Sequence, residues 1–327
     1  MSNLVTIYGG SGFVGRYIVR RLAAQGWRVR VAVRRPNEAL HVKPCGNVGQ
    51  VEPVFCNIRD DDSVRAVMHG ADAVVNCVGT FDARGRNNFS AVQEEGATRI
   101  ARIAAEQGAT RLVHLSAIGA DETSTSLYAQ TKARGEAGIR QHFADAVILR
   151  PSVIFGPEDQ FFNRFAGMTR FSPVLPVVGA GTRFQPVYVD DVAAAAELGV
   201  LSRAAPGVYE LGGPETATFR TLMQKMLGII RRRRLIFNIP FWIAYVMGWG
   251  MEMAQQISFG LVSPQITRDQ VRSLRKDNVV DSKARGLADL GIEATAMEAV
   301  LPDYLWRFRP SGQYDAITES AQRLRPQ

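Results

Sequence analysis

Tyr128 and Lys132 stand four residues apart in the run Tyr128-Ala129-Gln130-Thr131-Lys132, a spacing that puts both side chains on one face of a helix. A free phenol ionises near pH 10 and is a weak acid or base at neutrality, but a neighbouring ammonium favours the phenolate. The pair is therefore a candidate proton donor and acceptor. Ser116 follows an apolar strand-like run at 111–115, and from that carboxyl end it would hydrogen-bond a substrate oxygen. A nucleotide site to serve this chemistry stands near the start of the chain. The apolar run 4–8 leads into Gly9, Gly10, Ser11, Gly12, Phe13, Val14 and Gly15, and then into a helix-forming stretch. Gly9 and Gly12 are expected to take backbone angles closed to other residues, and Gly15 to let the helix lie close on the strand. The helix N-terminus then offers unpaired N–H groups and its positive dipole end to a pyrophosphate.

The elements that must position these groups alternate. Strand-like runs at 28–33, 51–55, 73–77, 111–115 and 146–149 are separated by helical patterns at 13–25, 62–68, 89–107 and 128–142. That alternation predicts an α/β fold: a doubly wound parallel-sheet Rossmann domain over 1–150. Pro- and Gly-rich segments follow over 151–184, broken by a helical stretch near 161–168. The run 187–189 and a helix from 192 to about 201 then re-enter the first domain at about 185–212. Residues 151–184 and 213–327 are assigned to a second, smaller, mostly helical C-terminal lobe, with a loosely held polar tail at 313–327. The first strand begins at Leu4, which leaves no room for a leader and suggests a bacterial cytoplasmic chain or a processed form.

Cofactor choice is written after the second strand. An acid there would hold a ribose 2′-hydroxyl, whereas Arg34 and Arg35 suit a 2′-phosphate, so NADPH is expected. Cys45, Cys56 and Cys77 form no C-x-x-C pair, and the four histidines have no metal spacing. His114, inside an apolar strand, is read as a packed core histidine.

The net charge of +8 is localised. Between Arg220 and Arg285 there are 12 Lys and Arg against 4 Asp and Glu, an excess of 8, and the rest of the chain balances at 27 against 27. Arg231, Arg232, Arg233 and Arg234 precede an aromatic apolar stretch, 235–250, that Pro240 interrupts and that falls short of the ~20 residues of a spanning helix. Arginines beside Trp, Tyr and Phe suit an anionic membrane interface; a buried helix with a basic edge is the competing reading.

The glycine turn, Asn76-Cys77-Val78-Gly79, Ser116, Tyr128 with Lys132, and Leu149-Arg150-Pro151-Ser152-Val153 together resemble the extended branch of the short-chain dehydrogenase/reductase superfamily. The resemblance implies that Tyr128 is a general acid or base, that Lys132 binds the nicotinamide ribose and lowers the tyrosine pKa, and that Ser116 orients a substrate. It adds Val78, Gly79, Pro151 and Val153 to the cofactor-binding positions. It also adds Asn57 and Ile58, where the superfamily commonly has an aspartate to meet the adenine.

The runs from Ile154 to Ala166, from Gln185 to Val192, from Ile266 to Val271 and from Leu287 to Thr295 resemble one branch, the nucleotide-binding accessory subunits of respiratory complex I. That resemblance implies a tightly bound structural NADPH far from the electron-transfer chain, with no hydride turnover. It implies other complex I subunits near the quinone site as partners, and a role in assembly and stability. The peripheral address would be the cytoplasmic face of a bacterial inner membrane; nucleic acid is not expected as a partner. Two rivals are a free-standing NADP-dependent reductase, epimerase or dehydratase using Tyr128 and Lys132, and a soluble nucleotide-sensing regulator. The regulator predicts that the segment near Trp242 is packed.

Overall fold

A computed structural model describes residues 3–80, 85–257, 267–310 and 312–314. In chain order the elements are β1 (Leu4–Tyr8), α1 (Phe13–Ala24), β2 (Arg28–Val33), β3 (Val51–Phe55), α2 (Asp61–Met68), β4 (Ala73–Asn76), α3 (Glu95–Glu106), β5 (Arg111–Leu115), α4 (Leu127–His142) and β6 (Val147–Pro151). Then come β7 (Ile154–Phe155), α5 (Phe162–Met168), β8 (Val174–Val178), β9 (Arg183–Phe184), β10 (Val187–Tyr188), α6 (Val189–Val200), β11 (Gly207–Leu211) and β12 (Ala217–Thr218). The last are α7 (Phe219–Ile229), β13 (Leu235–Ile239), α8 (Phe241–Ile257), α9 (Arg268–Ser273) and α10 (Met297–Leu305).

Seven strands form one sheet in the order β11-β6-β5-β4-β1-β2-β3, and every pair in it is parallel. The order reverses between β1 and β4, which is where an open α/β sheet opens a crevice at its carboxyl ends. Tyr8, Val74, Ile100, Ile103, Leu112 and Ile139 fill the core between the sheet and the helices α2, α3 and α4. On the other face Arg21 of α1 bonds Asp190 (2.7 Å) and Glu197 (3.0 Å) of α6. The edge strand β11 and the ten-residue 3-10 helix Pro36–Cys45 have no counterpart in the sequence reading.

Packing divides the chain into two units. One comprises Met1–Ser152, Val189–Gly212 and Val280–Ala294; the other comprises Val153–Tyr188, Gly213–Val279 and Thr295–Gln327. The stretch Val280–Ala294 is a further return to the first unit, held where Glu210 N donates to Arg285 O and Asp281 N donates to Glu210 Oε2.

The second unit has its own aromatic core. Phe155, Phe162, Phe184 and Phe219 are buried there with Leu222, Met226, Leu301 and Leu305. Pro240 stands between β13 and α8, so the apolar stretch is a strand followed by a helix. Helix α8 is not buried. Trp242 (69% exposed), Val246, Trp249 (52% exposed) and Met253 recur at helical spacing on one face, while Ala244 packs inward on Val178, Ile239 and Val271. No helix among the described residues is long and apolar enough to cross a membrane. Ile266 and nearly all of the 313–327 tail lie outside the described residues.

Candidate nucleotide-binding site

The glycine loop closes at the carboxyl end of β1, with Gly12 N donating to Gly9 O at 3.0 Å. Gly9 has φ +75°, the left-handed region that favours glycine. Gly12 does not: its φ is −71° with ψ 179°, ordinary extended backbone that any residue adopts. What Gly12 supplies is space. A Cβ there would meet only Gly9 O, at 3.2 Å, and otherwise point into the open mouth of the loop. A Cβ on Gly15 would lie 2.4 Å from Gly9 O and 2.7 Å from Gly10 Cα, so only glycine lets α1 rest on the loop. A Cβ on Gly10 would be less crowded, 3.0 Å from the Val31 side chain and 3.2 Å from that of Ile7. Ser11, Phe13 and Val14 complete the turn into α1, whose first N–H groups lack intrahelical acceptors. A glycine turn opening onto free helix N–H groups is the kind of cradle that receives a pyrophosphate.

Two residues at the loop were not singled out from the sequence. Arg16 reaches back so that Nε donates to Gly12 O (3.3 Å) and Nη2 to Ser11 O (3.4 Å), and His41 places Nε2 at 3.2 Å from the same Ser11 O. The signal for Arg16 was its place directly after Gly15. His41 is brought in by the unforeseen helix Pro36–Cys45. At the end of β2, Arg34 and Arg35 are both exposed. Arg35 pairs with Glu38 at 2.9 Å, whereas Arg34 has no side-chain partner among the described residues.

After β3 and β4 the chain turns tightly. Asn57 Oδ1 accepts from Arg59 N (3.2 Å), which holds the carboxamide in its own turn, and Ile58 packs over Gly96 of α3. Buried Asn76 accepts from Val78 N at 3.0 Å and fixes the loop through Val78 and Gly79 beside Gly9.

Ser126 caps α4, and Tyr128 and Lys132 follow on one face. Lys132 Nζ donates to Leu115 O at 3.0 Å and lies beside the Gly79 turn. Burial lowers its pKa to about 8, against the raising influence of Glu136 and Cys77. Desolvation pushes the Tyr128 phenol up to about 12, and the Lys132 charge does not offset it. The expected lowering of the tyrosine pKa by the lysine is therefore not what this geometry produces. Desolvation likewise raises the Cys77 thiol to about 12.

Ser116 also departs from expectation. It is 5% exposed, and its Oγ donates to Glu136 Oε1 at 2.5 Å. Glu136, fully buried one turn after Lys132, is clamped by Arg150 through Nε (2.9 Å) and Nη2 (2.7 Å). A carboxylate removed from water needs its lone pairs filled, and the serine hydroxyl fills one. The next residue outward is Ala117, which has no hydroxyl to offer in its place. His114 is buried in the same layer with neither ring nitrogen hydrogen-bonded among the described residues, and desolvation holds its pKa well below 6.5. Pro151 ends β6 and accepts from Ile118 N; Val153 opens the second unit, where its N–H donates to Asn278.

A parallel sheet ordered 3-2-1-4-5-6 from β3 to β6, with a glycine loop at its switch point and a Tyr-Lys helix after β5, defines a dinucleotide-binding protein of the extended short-chain dehydrogenase type. Residues 5–212 match the NAD dependent epimerase/dehydratase family. The mitochondrial NADH dehydrogenase (ubiquinone) 1 alpha subcomplex subunit 9 of Arabidopsis thaliana is 34% identical over 94% of this chain and 79% of its own length. A ceramide reductase of Caulobacter vibrioides is 36% identical over 58% of this chain and 59% of its own. The crystal structure of gox2253 superposes with a TM-score of 0.72 at 21% identity, covering 95% of this chain and 99% of that one. The chain belongs to the NAD dependent epimerase/dehydratase family and, within it, to the branch of the subunit 9 proteins of NADH dehydrogenase (ubiquinone).

Proposed function

We propose that the chain is an NADPH-holding accessory subunit of respiratory complex I that supports assembly and stability and turns over no substrate of its own. The observation that carries this reading is the extent of the likeness to the complex I relative. It runs through 94% of the chain and so includes the second unit, whereas the likeness to the ceramide reductase covers 58%. The commitment of Ser116 to Glu136 supports the absence of turnover, because the Ser116 hydroxyl is then not offered to a substrate carbonyl. A bound nicotinamide nucleotide would supply hydride chemistry. This chain's own residues hold it: the glycine loop takes the pyrophosphate, Arg34, Arg35 and Arg16 favour a 2′-phosphate, and Lys132 faces the ribose side.

Attachment is assigned to the second unit. Its basic run and the exposed Trp242, Val246, Trp249 and Met253 suit a peripheral site on the membrane arm near the quinone pocket, with anionic lipid at the boundary. For a bacterial homologue that is the cytoplasmic face of the inner membrane. The exposure of Trp242 speaks against the regulator reading. The reductase reading keeps one observation in its favour, the retention of Tyr128 and Lys132 on one helix face. Affinity isolation of the chain from detergent-solubilised membranes, with its partners and bound nucleotide identified, separates the two.

A further inference from the structure

Within the second unit, a pocket of about 400 Å³ opens between α7 and the start of β13. It is lined by Arg220, Gln224, Arg232, Arg233, Arg234 and Leu235 among others, with no carboxylate among the described residues that line it. That volume lies within the range of about 300–1,000 Å³ typical of small-ligand sites. Four guanidinium groups stand around one space with no acid among the described lining residues to neutralise them, so they repel each other. The pKa of Arg232 is lowered, by desolvation first and then by the neighbouring charges of Arg234 and Arg170. The side chains are nevertheless held in place. Arg232 Nε donates to Phe308 O (2.8 Å) and Arg234 Nε to Thr169 O (3.0 Å), which fixes two guanidinium planes while leaving Nη donors over. Arg220 and Arg233 are exposed and make no side-chain hydrogen bond or ion pair among the described residues. Backbone strain accompanies the arrangement, since Arg231 stands at φ +53°.

A cluster of oriented, uncompensated guanidiniums is built for an oxyanion with several oxygens, and phosphate matches their fork geometry. What adjoins the pocket narrows the ligand further. Leu235 (67% exposed) and Phe237 (55% exposed) alternate along β13 on its outer side, and Leu235 lines the pocket itself. An apolar rail leaving a phosphate site suits an acyl chain and not a free ion. We propose that this pocket is a discrete binding site for the phosphate head of an anionic phospholipid, with its acyl chains along Leu235 and Phe237. The inference deepens the membrane-facing part of the proposed function and rests on it for its setting, but its own test uses no complex I.

The full-length protein is titrated with phosphatidylcholine vesicles, with phosphatidylcholine vesicles containing phosphatidic acid, and with glycerol 3-phosphate. The charge-reversed pair Arg220→Glu with Arg233→Glu is compared with the neutral pair Arg220→Gln with Arg233→Gln, positions whose side chains make no bonds that folding would miss. Each arginine near an anionic surface is worth about fivefold in affinity, so the neutral pair is expected to weaken binding to phosphatidic acid vesicles about 30-fold. The reversed pair should abolish it, and Leu235→Ser with Phe237→Ser should weaken it with the arginines intact. Four results overturn the proposal: equal binding of wild type to vesicles lacking phosphatidic acid; glycerol 3-phosphate binding as tight as the vesicles, which makes the site one for soluble phosphate esters; unchanged binding by the glutamine pair; or unchanged binding by the serine pair. Vesicle binding that holds while the chain fails to co-purify with complex I would leave the lipid site standing and remove the subunit reading.

Discussion

Gly15 and Gly12 sit three residues apart in one loop, yet their substitution should fail in different ways. Alanine at 15 would place its Cβ 2.4 Å from Gly9 O, 2.7 Å from Gly10 Cα and 2.9 Å from Gly10 C, all of them backbone atoms that cannot rotate aside. Helix α1 would have to retreat by about 1 Å to restore van der Waals contact. Overpacking of this kind costs about 1–3 kcal/mol, and rigid neighbours put Gly15→Ala at the upper end. At roughly 2–4 °C per kcal/mol for a domain of this size, the melting temperature should fall by about 5–10 °C. Gly12 has an ordinary φ of −71° and a nearest neighbour at 3.2 Å, so Gly12→Val should melt within a few degrees of wild type. Its side chain would instead fill the cradle. Wild type at NADPH a hundredfold above its dissociation constant should gain ~2.7 kcal/mol, and Gly12→Val should gain nothing. Thermal unfolding followed by circular dichroism, with and without NADPH, reads both effects. A Gly15→Ala protein melting like wild type would refute the packing of α1 on the loop, and a Gly12→Val protein that still gains stability from NADPH would refute the cradle.

Removing the Arg34 and Arg35 side chains should weaken NADPH selectively, since charge-assisted hydrogen bonds to phosphate are worth ~1.5–3 kcal/mol, while equal loss of NADH in calorimetric titration rejects the assignment. Tyr128→Phe should leave complex assembly and NADH:quinone activity nearly unchanged, and loss of an NADPH-dependent reduction that wild type demonstrably performs would count against it. The contribution of Lys132 to stability should rise between about pH 8 and 10, because the native lysine releases its proton near 8 while the unfolded one keeps it until about 10.4; the buried Cys77 and Cys56 thiols, raised to about 12 and about 11, oppose it over the same window, so it is read as the difference between wild type and Lys132→Met. The gain is on the order of 2–3 kcal/mol, and it should be absent in Lys132→Met on denaturant titration across pH. Above pH 10 native Tyr128, which holds its proton to about 12 when the unfolded phenol has lost it, should lower stability further. On the acid side, buried neutral His114 should make stability fall as pH drops below about 6.5, a fall that His114→Phe should reduce.

The Rossmann sheet was legible because each strand is a short apolar run between helical patterns, and hydrophobic periodicity reports burial directly. β11 was not, since Gly207–Leu211 is a five-residue edge strand after an irregular stretch. The return at Val280–Ala294 is held by bonds to Glu210 and by Arg285 on Tyr209 and Pro206, and leaves no periodic trace. At the site, the Tyr128 and Lys132 spacing located the right helix face. Glu136 continues the same i, i+4 series, but a third polar residue on a helix does not reveal whether it faces solvent or a buried arginine. The sequence does not show that Ser116 faces inward, because its partner Glu136 is fixed only by tertiary packing. The arginine run 231–234 marked charge and not geometry; which guanidiniums are tethered and which are spare depends on the Phe308 and Thr169 carbonyls, remote in sequence. Pro240 correctly broke the apolar stretch, and the outward aromatic face of α8 could be told from a buried one only by its surroundings.

A nucleotide-holding part of a larger respiratory assembly should travel with that assembly and keep its nucleotide. The most direct measurement is isolation of the tagged chain from membranes solubilised in mild detergent, followed by mass spectrometry of its partners and enzymatic assay of the nucleotide released on denaturation. Complex I subunits in stoichiometric amount, NADH:quinone activity in the isolate, and NADPH retained through purification are expected. Recovery of the chain alone in the soluble fraction, free of complex I subunits and oxidising NADPH with a small substrate, would contradict the subunit reading.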